Sequence, residues 1–349
     1  MAQSTMEPNF TNIANLTNTS SGSCVLNAFQ LMCPPPEMSY ASSVIVQTAL
    51  VICIVAIAVG NTLVIASIAY FRELQSRMNV FTLSLALADL LVGVLIMPFS
   101  MLKTVHNCWF FGRWFCKIHT SLDYIFSTAS IVHISCIAYD RYNAICHPLC
   151  YTQRVNRVKV VVMLGGCWVA PVIYVAPIML GWNIIGIEEI VASMTCPDSC
   201  VMFKNTTFVI LDTVCAFMVP MSIMGVAYGK IYKVARDQSR RVHSQHQQQV
   251  DGNALKREHN ATKTLGLIMG AFFLCWLPYI VVSLVDVFVH FQTSGEVWSV
   301  VVWLGYINSG FNPVLYALFN RPFRRAFAII ISKRIFTSDK RNMDLSRED

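Results

Sequence analysis

The sequence predicts an all-α membrane protein, a seven-transmembrane helix bundle followed by a short amphipathic cytoplasmic helix. Three observations predict it. Of the 349 residues 55% are hydrophobic and only 13% charged, and the mean hydropathy is +0.53, too apolar for a soluble domain of this size. Apolar stretches long enough to cross a bilayer cover residues 43–70, 79–103, 113–146, 158–182, 206–234, 263–291 and 297–319. Basic residues alternate by end: residues 1–42 hold no Lys or Arg, whereas Arg72, Arg77, Arg154, Arg157, Lys230, Lys233, Arg321 and Arg324 fall at the opposite ends of the spans. Cytoplasmic ends retain such charge, so the amino terminus is placed outside. The formal charge of +7 then reads as topology and contact with membrane lipid, not nucleic-acid binding.

In order, residues 1–42 form a polar extracellular terminus with sequons at Asn9, Asn15 and Asn18, predicted glycosylation sites. No apolar region with a cleavage site precedes them, so the first span is expected to act as the insertion signal. A further sequon at Asn205 lies close to the bilayer, and one at Asn260 is predicted cytoplasmic. Of the 13 cysteines, Cys24, Cys33, Cys108, Cys116, Cys196 and Cys200 fall on the oxidising side, where disulfides persist. Those within spans read as small buried hydrophobes.

The second span carries Asp89, and Pro98 near its outer end predicts a kink. The third, through Cys116 and Pro148, carries Asp123 in its outer half and ends in Asp140, Arg141 and Tyr142. A carboxylate in hydrocarbon costs several kcal/mol unless it meets a partner, so Asp123 must face the protein interior. It shares a face with Ser127, Ser130, Ile134 and Arg141, the last about 27 Å away along the axis. The fifth span carries Asp212, on one α-helical face with Ala216 and Pro220, and the neighbouring hydroxyl of Thr213. The sixth brings Phe272, Trp276, Tyr279 and, further out, Asp286; the seventh brings Trp303, Tyr306, Asn308, Ser309, Asn312, Pro313 and Tyr316.

This pattern points to a cationic ligand. Aromatic faces attract ammonium groups where water is excluded, and acids with aromatics recur in the outer halves of several spans. Candidate ligand residues are Asp123, Tyr124, Ser127, Asp212, Thr213, Trp276, Tyr279, Trp303 and Tyr306. Packed helices lie about 8–10 Å apart, so Asp123 and Asp212 could hold the two ends of a short dication, or Asp212 could be structural and bonded to hydroxyls. Asp89, Ser130, Asn308 and Asn312 form a second polar cluster, read either as a water-filled packing network or as a structural sodium site. Apart from that ion, no cofactor is expected. A transporter would also explain intramembrane acids but commonly shows internal repeats, and no such repeat is seen. An enzyme is disfavoured: no nucleophile or metal-ligand motif occurs, and His133 is alone in an apolar stretch.

Over almost its whole length the chain resembles the rhodopsin-like (class A) G protein-coupled receptors. The residues that carry the resemblance are Asn61, Asp89, Cys116, Asp140-Arg141-Tyr142, Trp168, Pro220, Tyr228, the run Phe272 to Pro278, and Asn312-Pro313 with Tyr316. Within it, Asp123 stands where aminergic receptors place the aspartate that binds the ligand amine. A closer resemblance, to the trace amine-associated receptors, rests on Cys108-Trp109-Phe110-Phe111-Gly112, Lys263-Thr264-Leu265-Gly266, Trp303-Leu304-Gly305-Tyr306 and the loop Thr195 to Cys200. The chain departs from that family's pattern at Asn320 and Pro322, so the resemblance implies either a divergent member or an early-branching relative lying between trace amine and serotonin receptors.

The resemblance implies disulfides Cys116 to Cys200 and Cys196 to Cys33, with Cys24 the second choice for Cys196. It implies a diamine or polyamine agonist such as putrescine, cadaverine or spermidine, since acids in this fifth helix go with diamines in that family. The alternative is a serotonin-like or phenethylamine monoamine. It implies a plasma-membrane receptor, in olfactory neuron cilia, signalling through a stimulatory or olfactory heterotrimeric G protein and cyclic AMP. Arrestin and receptor kinases are the further partners implied. At rest Arg141 is expected to pair with Asp140 and Glu258, and the G protein to insert against Arg141, Tyr228 and Tyr316, with Tyr142 of the Asp140-Arg141-Tyr142 motif in the same coupling set. Phe272 and Trp276 would link the layers, and Asn312-Pro313 belongs to the same activation machinery. Residues 320–334 are expected to lie on the inner leaflet, and residues 335–349, with Ser338 and Ser346, to be a disordered, phosphorylatable tail.

Overall fold

The computed structural model describes residues 24–27, 30–35, 38–244, 252–332 and 341–345. Its main helices are α1 Tyr40–Tyr70, α2 Arg77–His106, α3 Gly112–Cys146, α4 Arg157–Met179, α5 Thr206–Asp237, α6 Gly252–Phe288, α7 Gly295–Phe319 and α8 Arg321–Ile331. By length and composition, six described segments can cross a membrane: α1 to α5 and the Met269–Phe288 part of α6. Helix α7 is not among them, because Asn308, Ser309 and Asn312 lower its hydropathy. It is nevertheless packed against α1, α2 and α6, and those three residues are buried. Helix α3 is central, packing on α2, α4 and α5.

The helix starts are written locally. Ser39, Ser76, Asn156, Asn205 and Ser294 each accept a hydrogen bond from a backbone N–H of the first turn of α1, α2, α4, α5 and α7, satisfying donors that have no intrahelical partner. Two helices break their regular winding ahead of a proline. Val92–Ile96 precedes Pro98 and Thr213–Met218 precedes Pro220, each as a π-helical stretch, because proline withdraws a backbone donor and crowds the turn before it. Asp212 and Ala216 still face one cavity, and Phe217 within the wide turn joins them there. Lipid-type surface is displayed outward, with Val55, Val59, Val161, Val162, Ile173 and Leu274 exposed. The buried interior holds Asn61, Asp89, His133 and Asn312. His133 Nδ1 donates to Ala129 O (2.7 Å) and its Nε2 bonds Ser84 Oγ (2.8 Å), a structural role in keeping with its isolation in sequence.

Three disulfides clasp one end of the bundle: Cys24 to Cys196, Cys33 to Cys108 and Cys116 to Cys200. The Cys196 to Cys33 pairing is corrected. A two-stranded hairpin, Val25–Leu26 against Met32–Cys33, brings Cys24 and Cys33 side by side, and the backbone bonds of Asp198 to Met32 and Trp109 then assign each to a different partner. The side-chain amide of the Asn205 sequon is engaged within the protein: its Nδ2 donates to Trp182 O (3.0 Å) and Ile185 O (3.1 Å).

At the other end, residues 341–345 make contacts with the start of the loop after α1. Arg72 N donates to Arg341 O at 3.1 Å, Leu345 N to Glu73 Oε2 at 2.5 Å, and Leu345 is buried. The sequons Asn9, Asn15 and Asn18, and Ser338 and Ser346, lie outside the described residues.

Candidate functional site

Between the disulfide-clasped loops and the middle of the bundle lies a cavity of about 560 Å³. Its volume falls in the range of small-ligand sites. Asp123, Tyr124 and Ser127 of α3, Asp212 of α5, Trp276 and Tyr279 of α6, and Trp303 and Tyr306 of α7 all line it. Eight of the nine ligand residues picked from sequence therefore meet in one space. Thr213 does not, because its hydroxyl donates to Val209 O at 2.8 Å within its own helix.

Asp123 is held by neutral hydroxyls. Tyr306 Oη donates to one carboxylate oxygen at 2.7 Å and Ser127 Oγ to the other at 3.2 Å. Tyr306 is itself positioned by Ser100 at 3.2 Å and lies edge-on to Trp303, ring centroids 5.4 Å apart. Trp303 Nε1 donates to Thr104 Oγ1 at 3.0 Å. Trp276 reaches the cavity past Gly305, where an added Cβ would meet its ring at 3.3 Å. Two residues that sequence reasoning left out of the site, Lys103 and His119, also line the cavity, and Lys103 is not in ion-pair contact with Asp123. Asp286 lines it too, but one of its oxygens is taken by Thr293 N at 3.1 Å.

Asp212 is in a different state. Lys204, in the loop before α5, places Nζ 2.5 Å from one oxygen of Asp212, with both side chains almost fully buried. Tyr174 of α4 donates to the other oxygen. Lys204 Nζ also donates to Tyr279 Oη at 3.0 Å and stands 5.5 Å and 5.1 Å from the ring centroids of Tyr124 and Tyr279. Those two phenols bond each other at 2.8 Å, joining α3 to α6. Burial alone would push the Lys204 ammonium down, but Asp212 and the two phenol oxygens hold it well above the usual lysine value. The expectation that a structural Asp212 bonds to Thr213 is thus replaced by Tyr174 and Lys204. Lysine at the end of a polar loop carries no sequence signal of burial, and it was missed.

Deeper in the bundle, Asp89 accepts from Ser130 and Ser309 on one oxygen, both at 2.9 Å, and from Asn312 on the other at 2.8 Å. The network is the predicted cluster with Ser309 in place of Asn308. Asn308 is buried without a bond to Asp89.

At the Arg141 end, Asp140 accepts from Tyr151 Oη at 2.8 Å. Burial and Asp140 push the Tyr151 phenol up to about 12. Among the described residues there is no Arg141 to Asp140 ion pair, which corrects that expectation. Glu258 lies on α6, its side chain outside the described residues. Tyr142 Oη bonds His147 at 3.2 Å under Lys230. Tyr228 and Tyr316 line one small apolar gap, and Tyr316 stacks on Phe323. Phe272 is fully buried between Phe217 and Trp276. Pro313 packs against Gly60, whose missing Cβ would sit 3.0 Å from it.

The sequence pattern of the family described as 7 transmembrane receptor (rhodopsin family) matches residues 60–316. The chain belongs to this family. Among its relatives is trace amine-associated receptor 365 of Petromyzon marinus, 46% identical over 326 residues, 92% of this chain and 89% of that protein. The human (Homo sapiens) 5-hydroxytryptamine receptor 4 is 41% identical over 292 residues, covering 78% and 75% of the two chains. Trace amine-associated receptor 13c of Danio rerio is 38% identical over 290 residues, covering 82% and 85%. The resemblance drawn from single motifs thus holds across the bundle, and the protein is a multi-pass plasma-membrane receptor rather than an enzyme.

Proposed function

We propose that this receptor binds a small organic amine whose ammonium pairs with Asp123, and passes the event to a heterotrimeric G protein at the Arg141 end. One observation carries the reading. Asp123 is a carboxylate at the wall of an aromatic-lined cavity whose hydrogen-bond donors are neutral hydroxyls; Lys103 and His119 act on it from the same cavity without an ion-pair contact, so a ligand cation can pair with it directly. Asp212, by contrast, is neutralised by Lys204. This favours one ammonium, with the rest of the ligand lying against Trp276, Trp303 and Tyr279. The names of the relatives, trace amine and 5-hydroxytryptamine receptors, support an amine.

A diamine or polyamine held between Asp123 and Asp212 is the second reading. Both carboxylates line one cavity, which supports it, but the second ammonium has to replace Lys204. Coupling through a stimulatory or olfactory G protein and cyclic AMP, residence in olfactory cilia, glycosylation at Asn9, Asn15 and Asn18, and regulation by receptor kinases and arrestin are proposed on the resemblance to trace amine-associated receptors. A sodium ion at Asp89 is proposed on the same footing.

The test compares phenethylamine, tryptamine and 1-aminopentane with their neutral alcohol analogues on wild type and Asp123→Asn at equal surface expression. The reading expects amine-only responses that fall at least ~100-fold in the variant, the cost of leaving a desolvated ammonium unpaired. An undiminished response in Asp123→Asn overturns it.

A further inference from the structure

We infer that Lys204 is a tethered cation occupying a second ammonium subsite at Asp212, and that it makes this receptor select ligands with one positive charge. The inference rests on the amine reading of Asp123 and names the feature that sets which amines fit.

The subsite has the parts an ammonium ligand requires. It offers a carboxylate oxygen at 2.5 Å, a phenol oxygen at 3.0 Å and two aromatic rings within 5.5 Å. Charge-assisted hydrogen bonds supply strength, and desolvated ring faces add to it. Here the cation comes from the chain itself. Lys204 is only 4% exposed, so its charge is spent inside the cavity and not in solvent.

The backbone on both sides explains why it points inward. Cys200 is bonded to Cys116 at the start of α3. Asn183 Nδ2 donates to Phe203 O at 2.8 Å, Asn205 N donates to Asn183 O at 2.7 Å, and Asn205 caps α5. The chain from Cys200 to Asn205 is therefore fixed above the cavity, with Lys204 one residue before the cap.

A tethered group competes at an effective concentration of roughly millimolar or more. A second ammonium on a ligand present at micromolar concentration must displace Lys204 and leave it buried without its counter-ion. Asp123 has no such internal competitor among its bonded partners. The two carboxylates of one cavity are thus unequal, one open to the ligand and one already filled. Removing the tether should turn the filled subsite into a second ligand contact.

The experiment measures G protein activation in cell membranes by 1-aminopentane and 1,5-diaminopentane on the full-length receptor. Wild type, Lys204→Met, Lys204→Gln, the double variant Lys204→Met with Asp212→Asn, and Asp123→Asn are compared at matched surface expression. The expected result is that Lys204→Met raises the potency of the diamine relative to the monoamine by at least ~10-fold. The double variant, lacking the subsite charge, loses that gain. Lys204→Gln keeps a donor for Asp212 and tests the same point if the methionine variant does not reach the surface. A diamine-to-monoamine ratio unchanged in whichever of the two is expressed, or a gain that persists in the double variant, overturns the tether. Asp123→Asn separates the two claims. If it leaves both amines active, the amine reading itself fails; if it silences both while the ratio does not move on loss of Lys204, only the tether fails.

Discussion

Removing Asp212 alone should damage this receptor more than removing Asp212 and Lys204 together. In Asp212→Ala the Lys204 ammonium, buried with its partner, loses its counter-ion, and the Tyr174 hydroxyl loses its acceptor. Breaking one side of a buried pair costs about 3–5 kcal/mol, and an orphaned buried hydroxyl about 1–3 kcal/mol. Lys204→Met, which strands the carboxylate, carries a similar penalty. The double variant replaces the pair by apolar and small groups, which is often close to neutral. Thermal unfolding of the purified receptor measures the cycle. At roughly 2 °C per kcal/mol for a chain of this size, each single variant should lose at least about 6 °C. The double variant should recover most of that loss, giving a coupling of about 3 kcal/mol or more. Additive losses, with a coupling within about 0.5 kcal/mol of zero, would refute the placement of Lys204 inside the cavity.

Three further outcomes are expected. Cys24→Ser should free the thiol of Cys196 and leave Cys33 with Cys108, read by alkylation and peptide mass spectrometry under non-reducing conditions; a Cys196 that stays bonded, to Cys33, would restore the pairing first expected. Gly60→Ala should destabilise by about 1–3 kcal/mol, because its Cβ would lie 3.0 Å from Pro313, and an unchanged melting temperature would show that α1 and α7 do not meet there. Asn205→Ala should cost about 1 kcal/mol through loss of the α5 cap without any shift in glycosidase-sensitive mobility, whereas a lost glycan would show that its side chain is free.

What the sequence made legible follows from bilayer chemistry. Long apolar runs fixed the helices, and a carboxylate inside one has few places to go, which is why Asp89 and Asp123 could be singled out: Asp89 is buried among polar groups, and Asp123 is half-buried at an aromatic-lined cavity wall. Composition could not show geometry that depends on chain path. Lys204 is eight residues before Asp212 and looks like an ordinary flanking lysine; only the Cys116 to Cys200 clasp and the Asn205 cap turn it inward. The π-helical turn before Pro220 brings Phe217 to the cavity beside Ala216, and a strict 3.6-residue period cannot foresee it. Cys24 and Cys33 sit at the two ends of one hairpin, so spacing alone did not decide between them. The row Asn308, Ser309 and Asn312 depends on rotation about α7: Ser309 and Asn312 reach Asp89, and Asn308 does not. Near the carboxyl end, one buried leucine, Leu345, ties down a stretch whose composition reads as disordered.

The most direct measurement is direct amine binding to purified receptor, wild type against Asp123→Asn, with both proteins shown to have the same melting profile. Loss of binding by at least ~100-fold at preserved stability is the result this account predicts. Equal affinity in the two proteins would contradict it and would move the ligand's positive charge away from the cavity wall formed by Asp123, Tyr306 and Ser127.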